Sequence, residues 1–406
     1  MDSATIERIR EGMAFEASRK GPPDGFPRLP DIPAGRYVDP GYLALEDERL
    51  WKRSWLYAGH RDQLPEPGSW FLTRKTGSPI IIVRDLDDRI RAYYNTCRHR
   101  GGPLVKEEAG QGRGFVCGYH GWSYTLDGRL VAVRDKRDFV DLDFSCHSLI
   151  PVHCDTLGGW IFINEDEDDD PVSLAEFLGP VASELEQFQP ETLTLVDSRG
   201  YDVHCNVKVL LDAFLEVYHL KSIHQNTVDR FLDHRGTTIS LWPNGHSRMT
   251  TPNRRPEWVD PGTVGMPDIP TVTDIPRTSN VSYYIFPNIV MPPSATGMPM
   301  LVFWPKSDRT MRIECHWFSP PYGPEGKSPL WETRIRNFER ILDEDLQFAP
   351  QIQESLESPG FKGMTLCYQE RRIYHYHSEV DRVIGPNRIS GDLRVEPVLD
   401  DWVEAE

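Results

Sequence analysis

The stretch CRHRGGPLVKEEAGQGRGFVCGYH, Cys97 to His120, restricts what this chain can fold into more than any other. Its four candidate ligands form two pairs, Cys97 with His99 and Cys117 with His120, separated by seventeen residues. Each pair fits within one tight loop, so the fold has to bring two loops together around one bound group. Mixed Cys2His2 sets at this spacing suit a zinc ion, or a [2Fe-2S] cluster in which two imidazoles replace two thiolates on one iron. The neighbouring residues favour the cluster. Gly101, Gly102 and Pro103 follow the first pair and Gly121 follows the second, which allows sharp bends that aim backbone N–H groups at bridging sulfides. A zinc finger would carry its second pair on a helix. Here Phe115-Val116 and Trp122-Ser123-Tyr124 read as short strands, followed by a turn at Asp127-Gly128.

The segments CRHRGG and CGYHGWSYTLDGRL, with a second constellation downstream, resemble the Rieske-type non-haem iron ring-hydroxylating oxygenases, large or only subunit. The likeness covers most of the chain and is weak at residues 1–40 and 251–275. Gly118 stands where that family usually has proline, and Val207 where it usually has tryptophan after asparagine. Neither departure removes a ligand. The resemblance implies an α+β chain: an all-β Rieske [2Fe-2S] domain, then a helix-grip (START-like) catalytic domain with an antiparallel sheet and a long C-terminal helix.

At 406 residues the chain has room for two or three domains. No apolar run approaches the length of a membrane span, and Met1 to Lys20 reads as a charged amphipathic helix rather than a leader. A cytoplasmic protein with no membrane partner is expected. The 62 acidic residues outnumber the 45 basic ones, and a net charge of −17 argues against nucleic acid as a partner. Five of the seven cysteines, Cys146, Cys154, Cys205, Cys315 and Cys367, are scattered without disulfide spacing and are expected as buried core thiols.

In chain order, residues 1–44 read as an N-terminal arm packing on the catalytic domain, and the Rieske domain spans 45–164. A helix is expected over Leu43 to Arg53. Short strands are expected at Trp70 to Arg74, Ile80 to Arg84, Ile90 to Asn95 and Gly159 to Asn164. The acidic run Glu165 to Asp170 and Pro171 then mark a boundary, and the catalytic domain takes 165–406. Within it, Leu174 to Gln187 reads as one amphipathic helix and Leu193 to Lys208 as one or two strands. Aromatic-rich strands follow at Thr238 to Trp242, Val281 to Met291, Met300 to Pro305 and Met311 to Phe318, then a long helix from Leu330 to Phe348. Trp242, Tyr283, Tyr284, Phe286, Trp304, His316 and Trp317 are candidates to enclose an aromatic ring or a quaternary ammonium, or else, for at least half of them, plain sheet core.

The second constellation is NVKVLLDAFLEVYHLKSIH, residues 206–224. His219 and His224 are five residues apart, which on a regular α-helix turns them about 140° from each other, too far to share an ion. A π-bulge or a helix end between them is therefore expected; two unrelated helical histidines are the alternative. Two histidines and a carboxylate make the facial triad of an Fe(II) oxygen-activating site. The resemblance implies that the carboxylate comes from a late helix. On Leu330 to Phe348 the stripe Ile335, Phe338, Leu342 continues to Asp345 and Ala349, placing Asp345 on the buried face. A lone carboxylate is costly there unless paired or metal-bound. Asp343 falls on the face of Arg336, Glu339 and Arg340, and Glu344 between the two faces.

Asp212 and Glu216 precede His219 at helical spacing, so the three can line one face; helix salt bridging is their plain role. The resemblance implies more. In the family the acid at the position of Glu216 joins the cluster of one subunit to the mononuclear iron of its neighbour. Glutamate there resembles the homomeric monooxygenases, which include carnitine and betaine oxygenases, whereas most ring dihydroxylases carry aspartate. The implied roles are then cluster binding by Cys97, His99, Cys117 and His120, Fe(II) binding by His219, His224 and Asp345, and catalytic support from Glu216 and Asp212.

The expected function is a terminal oxygenase, a homo-oligomer such as a trimer. It uses O2 and electrons from an NAD(P)H-dependent reductase, directly or through a ferredoxin. Its substrate is a small aromatic, hydrophobic or quaternary ammonium compound, which it hydroxylates or oxidatively demethylates. Cis-dihydroxylation of an aromatic ring is the alternative chemistry. No glycine-rich dinucleotide fingerprint follows a strand, which leaves the nicotinamide to the partner. A Rieske electron carrier with an unrelated binding domain and a zinc-stabilised binding protein are the non-enzymatic readings.

Overall fold

The computed structural model describes residues 1–168, 171–259, 261–322 and 326–404. It divides into two compact units, the continuous Trp51–Leu174 and a second that joins Met1–Leu50 to Ala175–Glu406. The acidic run and Pro171 fall within the span of the first unit; Asp169 and Asp170 lie outside the described residues.

Two antiparallel sheets build the Trp51–Leu174 unit. The larger has seven strands in the order Leu56–His60, Trp160–Asn164, Pro151–Leu157, Ile90–Tyr94, Ile80–Arg84, Ser69–Thr73, Ala109–Gln111. The smaller joins Phe115–Val116, Ser123–Tyr124 and Leu130–Ala132. The run Ile80-Ile81-Ile82-Val83 shows no polar alternation because both of its faces are covered. Ile81 and Val83 enter the core that holds Cys97 and Cys117, whereas Ile80 and Ile82 enter a second core with Ile161 and Ile163.

The other unit is built on a seven-stranded antiparallel sheet with three helices, Val207–Phe214, Leu330–Leu346 and Arg371–Ile384, on one face. Its order is Thr194–Val203, Met311–Ser319, Met298–Pro305, Ile289–Met291, Ser279–Ile285, Ser247–Pro252, Thr238–Leu241. Three aromatic pairs seat the helices: Phe214 of Val207–Phe214 on Phe303, Phe338 of Leu330–Leu346 on Trp317, and Tyr376 of Arg371–Ile384 on Tyr284. The N-terminal residues are part of this unit. Arg36 is fully buried and pairs with Asp381 of the last helix at 2.5 Å, and Tyr368 donates to Glu16 of the first helix, Ser3–Ser18, at 2.8 Å.

Local chemistry broke several expected elements. Leu174 to Gln187 is two helices, Leu174–Leu178 and Pro180–Leu185, because Gly179 takes φ +45° and Pro180 starts a new first turn. The Leu43 to Arg53 helix is shorter, Pro40–Leu45, and runs on as wider π-type turns over Glu46–Trp51. Leu193 to Lys208 is one strand ending at Val203; Asn206 then caps a helix, its side chain accepting from the Lys208 N–H at 3.0 Å. Val281 to Met291 divides into Ser279–Ile285 and Ile289–Met291 around Pro287. Cys205 and Cys315 are core thiols and Cys154 is half-buried, but Cys146 and Cys367 are exposed on short turns. Among the described residues no helix is long and apolar enough to cross a membrane.

Candidate metal centres

The two cysteine-histidine loops are built alike. In each, the glycine four residues after the cysteine returns its N–H to the cysteine carbonyl: Gly101 to Cys97 at 3.0 Å and Gly121 to Cys117 at 2.9 Å. Both glycines have positive φ, +71° and +74°, a conformation a side chain would strain. Gly102 is needed for a different reason, since a Cβ there would stand 3.1 Å from Cys117 Sγ. Gly118, the departure from proline, is unconstrained: a Cβ there meets nothing within 4 Å.

These loops present two buried thiols and two half-buried imidazoles. The imidazoles face each other through Nδ1, 3.1 Å apart, and His99 stacks on Trp122 with ring centroids 4.9 Å apart. Tyr124 accepts the Arg98 N–H at 3.0 Å, which directs its hydroxyl at Cys97 Sγ, 3.3 Å away. Burial pushes the Cys97 thiol up, partly offset by the Tyr124 hydroxyl, and burial together with His120 holds His99 below the usual imidazole range. Among the described residues the only donor group compact enough for one ion lies elsewhere. Four donors around a single zinc would sit closer together, so the residues present fit a two-iron cluster better than one ion.

That compact group is His219, His224 and Asp345, whose nearest donor atoms all lie within 4.8 Å of one another. The helix Val207–Phe214 ends before Glu216, and His219 and His224 cap the two ends of a single further turn, Leu220–Ile223. A helix end, not a π-bulge, brings the rings together. Both point Nε2 at Asp345 Oδ1, 3.6 Å away for His219 and 3.2 Å for His224. Asp345 comes from the last turn of Leu330–Leu346, with its side chain 9% exposed, while Asp343 is exposed.

Carboxylates also hold the outer nitrogens. Glu216 contacts His219 Nδ1 and the N–H groups of Tyr218 and His219, so it folds the turn as well as orienting the ring. Glu344 accepts from His224 Nδ1 at 2.7 Å and from Thr227 Oγ1 at 2.6 Å. Burial lowers the affinity of both imidazoles for a proton, yet both end above the usual range: Glu216 and Asp345 outweigh it at His219, and Asp345 and Glu344 at His224. Such a pocket attracts cations. Two imidazole nitrogens and one carboxylate, with the outer nitrogens engaged, fit a divalent iron with open positions.

Asp212 is not brought to this group. It stays on Val207–Phe214, accepts from the Tyr37 hydroxyl at 2.6 Å and lies 3.6 Å from His377 Nε2. With Lys208, paired to Glu46 at 2.6 Å, it ties the histidine-bearing segment to the N-terminal residues. Strand register also separates the aromatic candidates. Tyr284 and Trp317 share the face of Val207–Phe214, Leu330–Leu346 and Arg371–Ile384, whereas Tyr283, Trp304 and His316 lie on the other, where Tyr283 donates to Glu184 of Pro180–Leu185 at 2.9 Å.

Residues 54–145 match the Rieske [2Fe-2S] domain, and residues 190–385 match the catalytic domain of the ring hydroxylating alpha subunit. The glycine betaine monooxygenase oxygenase subunit of Chromohalobacter salexigens is 30% identical over 207 residues, 51% of this chain and 46% of that protein. The toluate 1,2-dioxygenase subunit alpha of Pseudomonas putida is 26% identical over 400 residues, 89% of this chain and 85% of that one. The crystal structure of the quaternary ammonium Rieske monooxygenase CntA with L-carnitine superposes with a TM-score of 0.72 at 20% identity, covering 90% of this chain and all of that one. The chain thus aligns with about half the length of the betaine relatives and with most of the toluate relative. It unites a Rieske [2Fe-2S] domain with the catalytic domain of ring-hydroxylating alpha subunits. Together these two domains imply a Rieske cluster and a mononuclear iron.

Proposed function

We propose that this chain is the terminal oxygenase component of a Rieske non-haem iron system. It oxidises a small organic substrate with O2 and electrons from an NAD(P)H-dependent reductase, directly or through a ferredoxin. The observation that carries the reading is the convergence of His219 Nε2, His224 Nε2 and Asp345 Oδ1, with each outer imidazole nitrogen on a carboxylate. When bound, the cluster held by Cys97, His99, Cys117 and His120 supplies single electrons, and the iron held by His219, His224 and Asp345 supplies oxygen activation.

The protein's own residues supply orientation and insulation. Tyr124 donates toward a cluster thiolate, which favours the reduced form. Trp122 and Phe139 shield one flank of His99 from water, with ring centroids 4.9 and 5.9 Å from it. Glu216 keeps the Nδ1 hydrogen of His219 and leaves its Nε2 facing inward. Glu216 also serves as the link to the cluster of a neighbouring subunit in a homo-oligomer, most simply a trimer. A quaternary ammonium Rieske monooxygenase of the same fold is described in terms of inter-subunit electron transfer.

Hydroxylation or oxidative demethylation is the chemistry we favour, on the glutamate at position 216 and on the betaine relatives. The length of the match to toluate dioxygenase supports cis-dihydroxylation as the second reading. Turnover with a reductase, NADH and 18O2 over quaternary ammonium and aromatic substrates decides between them. One labelled oxygen in the product marks monooxygenation and two mark dihydroxylation. The reading is overturned if the reduced cluster reoxidises no faster with the iron site loaded than with it empty, across the whole panel. Glu216→Gln keeps the shape but weakens the charge-assisted bond, and should slow turnover by about 10–100-fold with both centres still occupied.

A further inference from the structure

Glu344 and Asp345 are consecutive residues on Leu330–Leu346, yet they reach opposite nitrogens of one imidazole. Asp345 Oδ1 lies 3.2 Å from His224 Nε2, and Glu344 Oε2 lies 2.7 Å from His224 Nδ1. Thr227, three residues beyond His224, donates its hydroxyl to the same Glu344 oxygen at 2.6 Å. The His224 side chain is only 5% exposed, so water does not compete freely for Nδ1. We infer that Glu344, supported by Thr227, is the positioning residue for His224 and sets how tightly the mononuclear site holds its metal. This rests on reading His219, His224 and Asp345 as that site.

The physical case has two parts. A carboxylate only accepts, so the Nδ1 hydrogen stays on the Glu344 side and the Nε2 lone pair stays turned toward the ion. The second part is leverage across the fold. Glu216 is a local anchor, three residues from His219, and holds only its own turn. Glu344 is 120 residues from His224, so its bond pins the end of the helix that carries Asp345 to the loop that carries His224. Losing it frees a ring and loosens the ligand next door in the same event. Partners of metal-bound histidines typically change metal affinity by about 10–100-fold.

The test uses the full chain with its cluster intact, the mononuclear metal removed by chelation and Co(II) titrated back while its ligand-field bands are followed. Glu344→Ala should weaken Co(II) binding by about 10–100-fold and alter the band pattern, with the cluster absorption unchanged. Glu344→Gln, which still offers an acceptor, should lose less, and Thr227→Val should lose a few-fold. His224→Ala is the reference. If it loses Co(II) while Glu344→Ala binds within two-fold of wild type with wild-type bands, the inference is overturned. If His224→Ala also binds like wild type, the reading of the iron site itself fails. Should Glu344→Ala not fold, wild-type affinity in both Glu344→Gln and Thr227→Val overturns the inference.

Discussion

The two centres are held by opposite means. All four residues proposed to hold the cluster lie within Cys97 to His120, on two loops bent by Gly101 and Gly121, and backbone hydrogen bonds fix their shape. The mononuclear group takes its histidines from a helix end and its carboxylate from another helix, and side-chain carboxylates fix it. A site made of local backbone resists a side-chain change at a distance. One assembled from remote elements loosens when its anchoring charges go. Damage should therefore be separable: either centre can be emptied while the other stays loaded.

The largest expected effect is at Asp345. Asp345→Ala removes the one carboxylate that both Nε2 atoms face, and should empty the mononuclear site and abolish turnover while leaving the cluster spectrum intact. Asp343→Ala, on the exposed side of the same helix turn, should do neither. Iron loss from the Asp343 variant alone would reverse the assignment.

A smaller change probes the other centre. His99→Cys exchanges an imidazole for a thiolate, and where a cluster still assembles its reduction potential should drop by on the order of 10² mV, measured by redox titration. Iron at the mononuclear site should stay at the wild-type level. A wild-type potential would remove His99 from the ligand set.

The smallest effect concerns two buried histidines outside both proposed sites, His246 and His375. His246 donates from Nε2 to the Phe177 carbonyl at 2.7 Å and accepts the Phe286 N–H on Nδ1 at 3.0 Å, so protonating it breaks a bond. Burial, against the pull of that carbonyl, takes His246 down to about 4, and His375 likewise to about 4. Below about 6.5 the unfolded chain takes up protons that the folded chain refuses. Their stabilisation is thus complete above about 6.5 and is lost as pH falls toward 4, each on the order of 3 kcal/mol. Denaturant midpoints should fall across that window, and His246→Gln should flatten the slope. An unchanged slope in that variant would place the titration elsewhere.

Legibility in the sequence followed the same division. The cluster loops could be read because glycine, cysteine and histidine offsets are local. The inward placement of Asp345 could be read because Ile335, Phe338 and Leu342 phase one helix. Glu344 could not, since helical phase put it between faces and says nothing of a loop at Thr227 packing against that flank. The helix Arg371–Ile384 went unread for a related reason. Its arginines, histidines and acids look like a solvated surface, yet Arg372 and His377 are fully buried and hydrogen-bonded by the sheet and by Arg36. Asp212 keeps helical spacing to Glu216 on paper, but the helix ends between them.

The measurement that bears most directly on two separate centres in one chain is a count of iron and acid-labile sulfide in the reconstituted wild-type protein, with electron paramagnetic resonance of the reduced form. Three irons and two sulfides per chain, with a Rieske-type signal, are expected. Two irons and two sulfides after full Fe(II) loading would leave only an electron carrier. A single colourless metal per chain would leave only a zinc-stabilised protein.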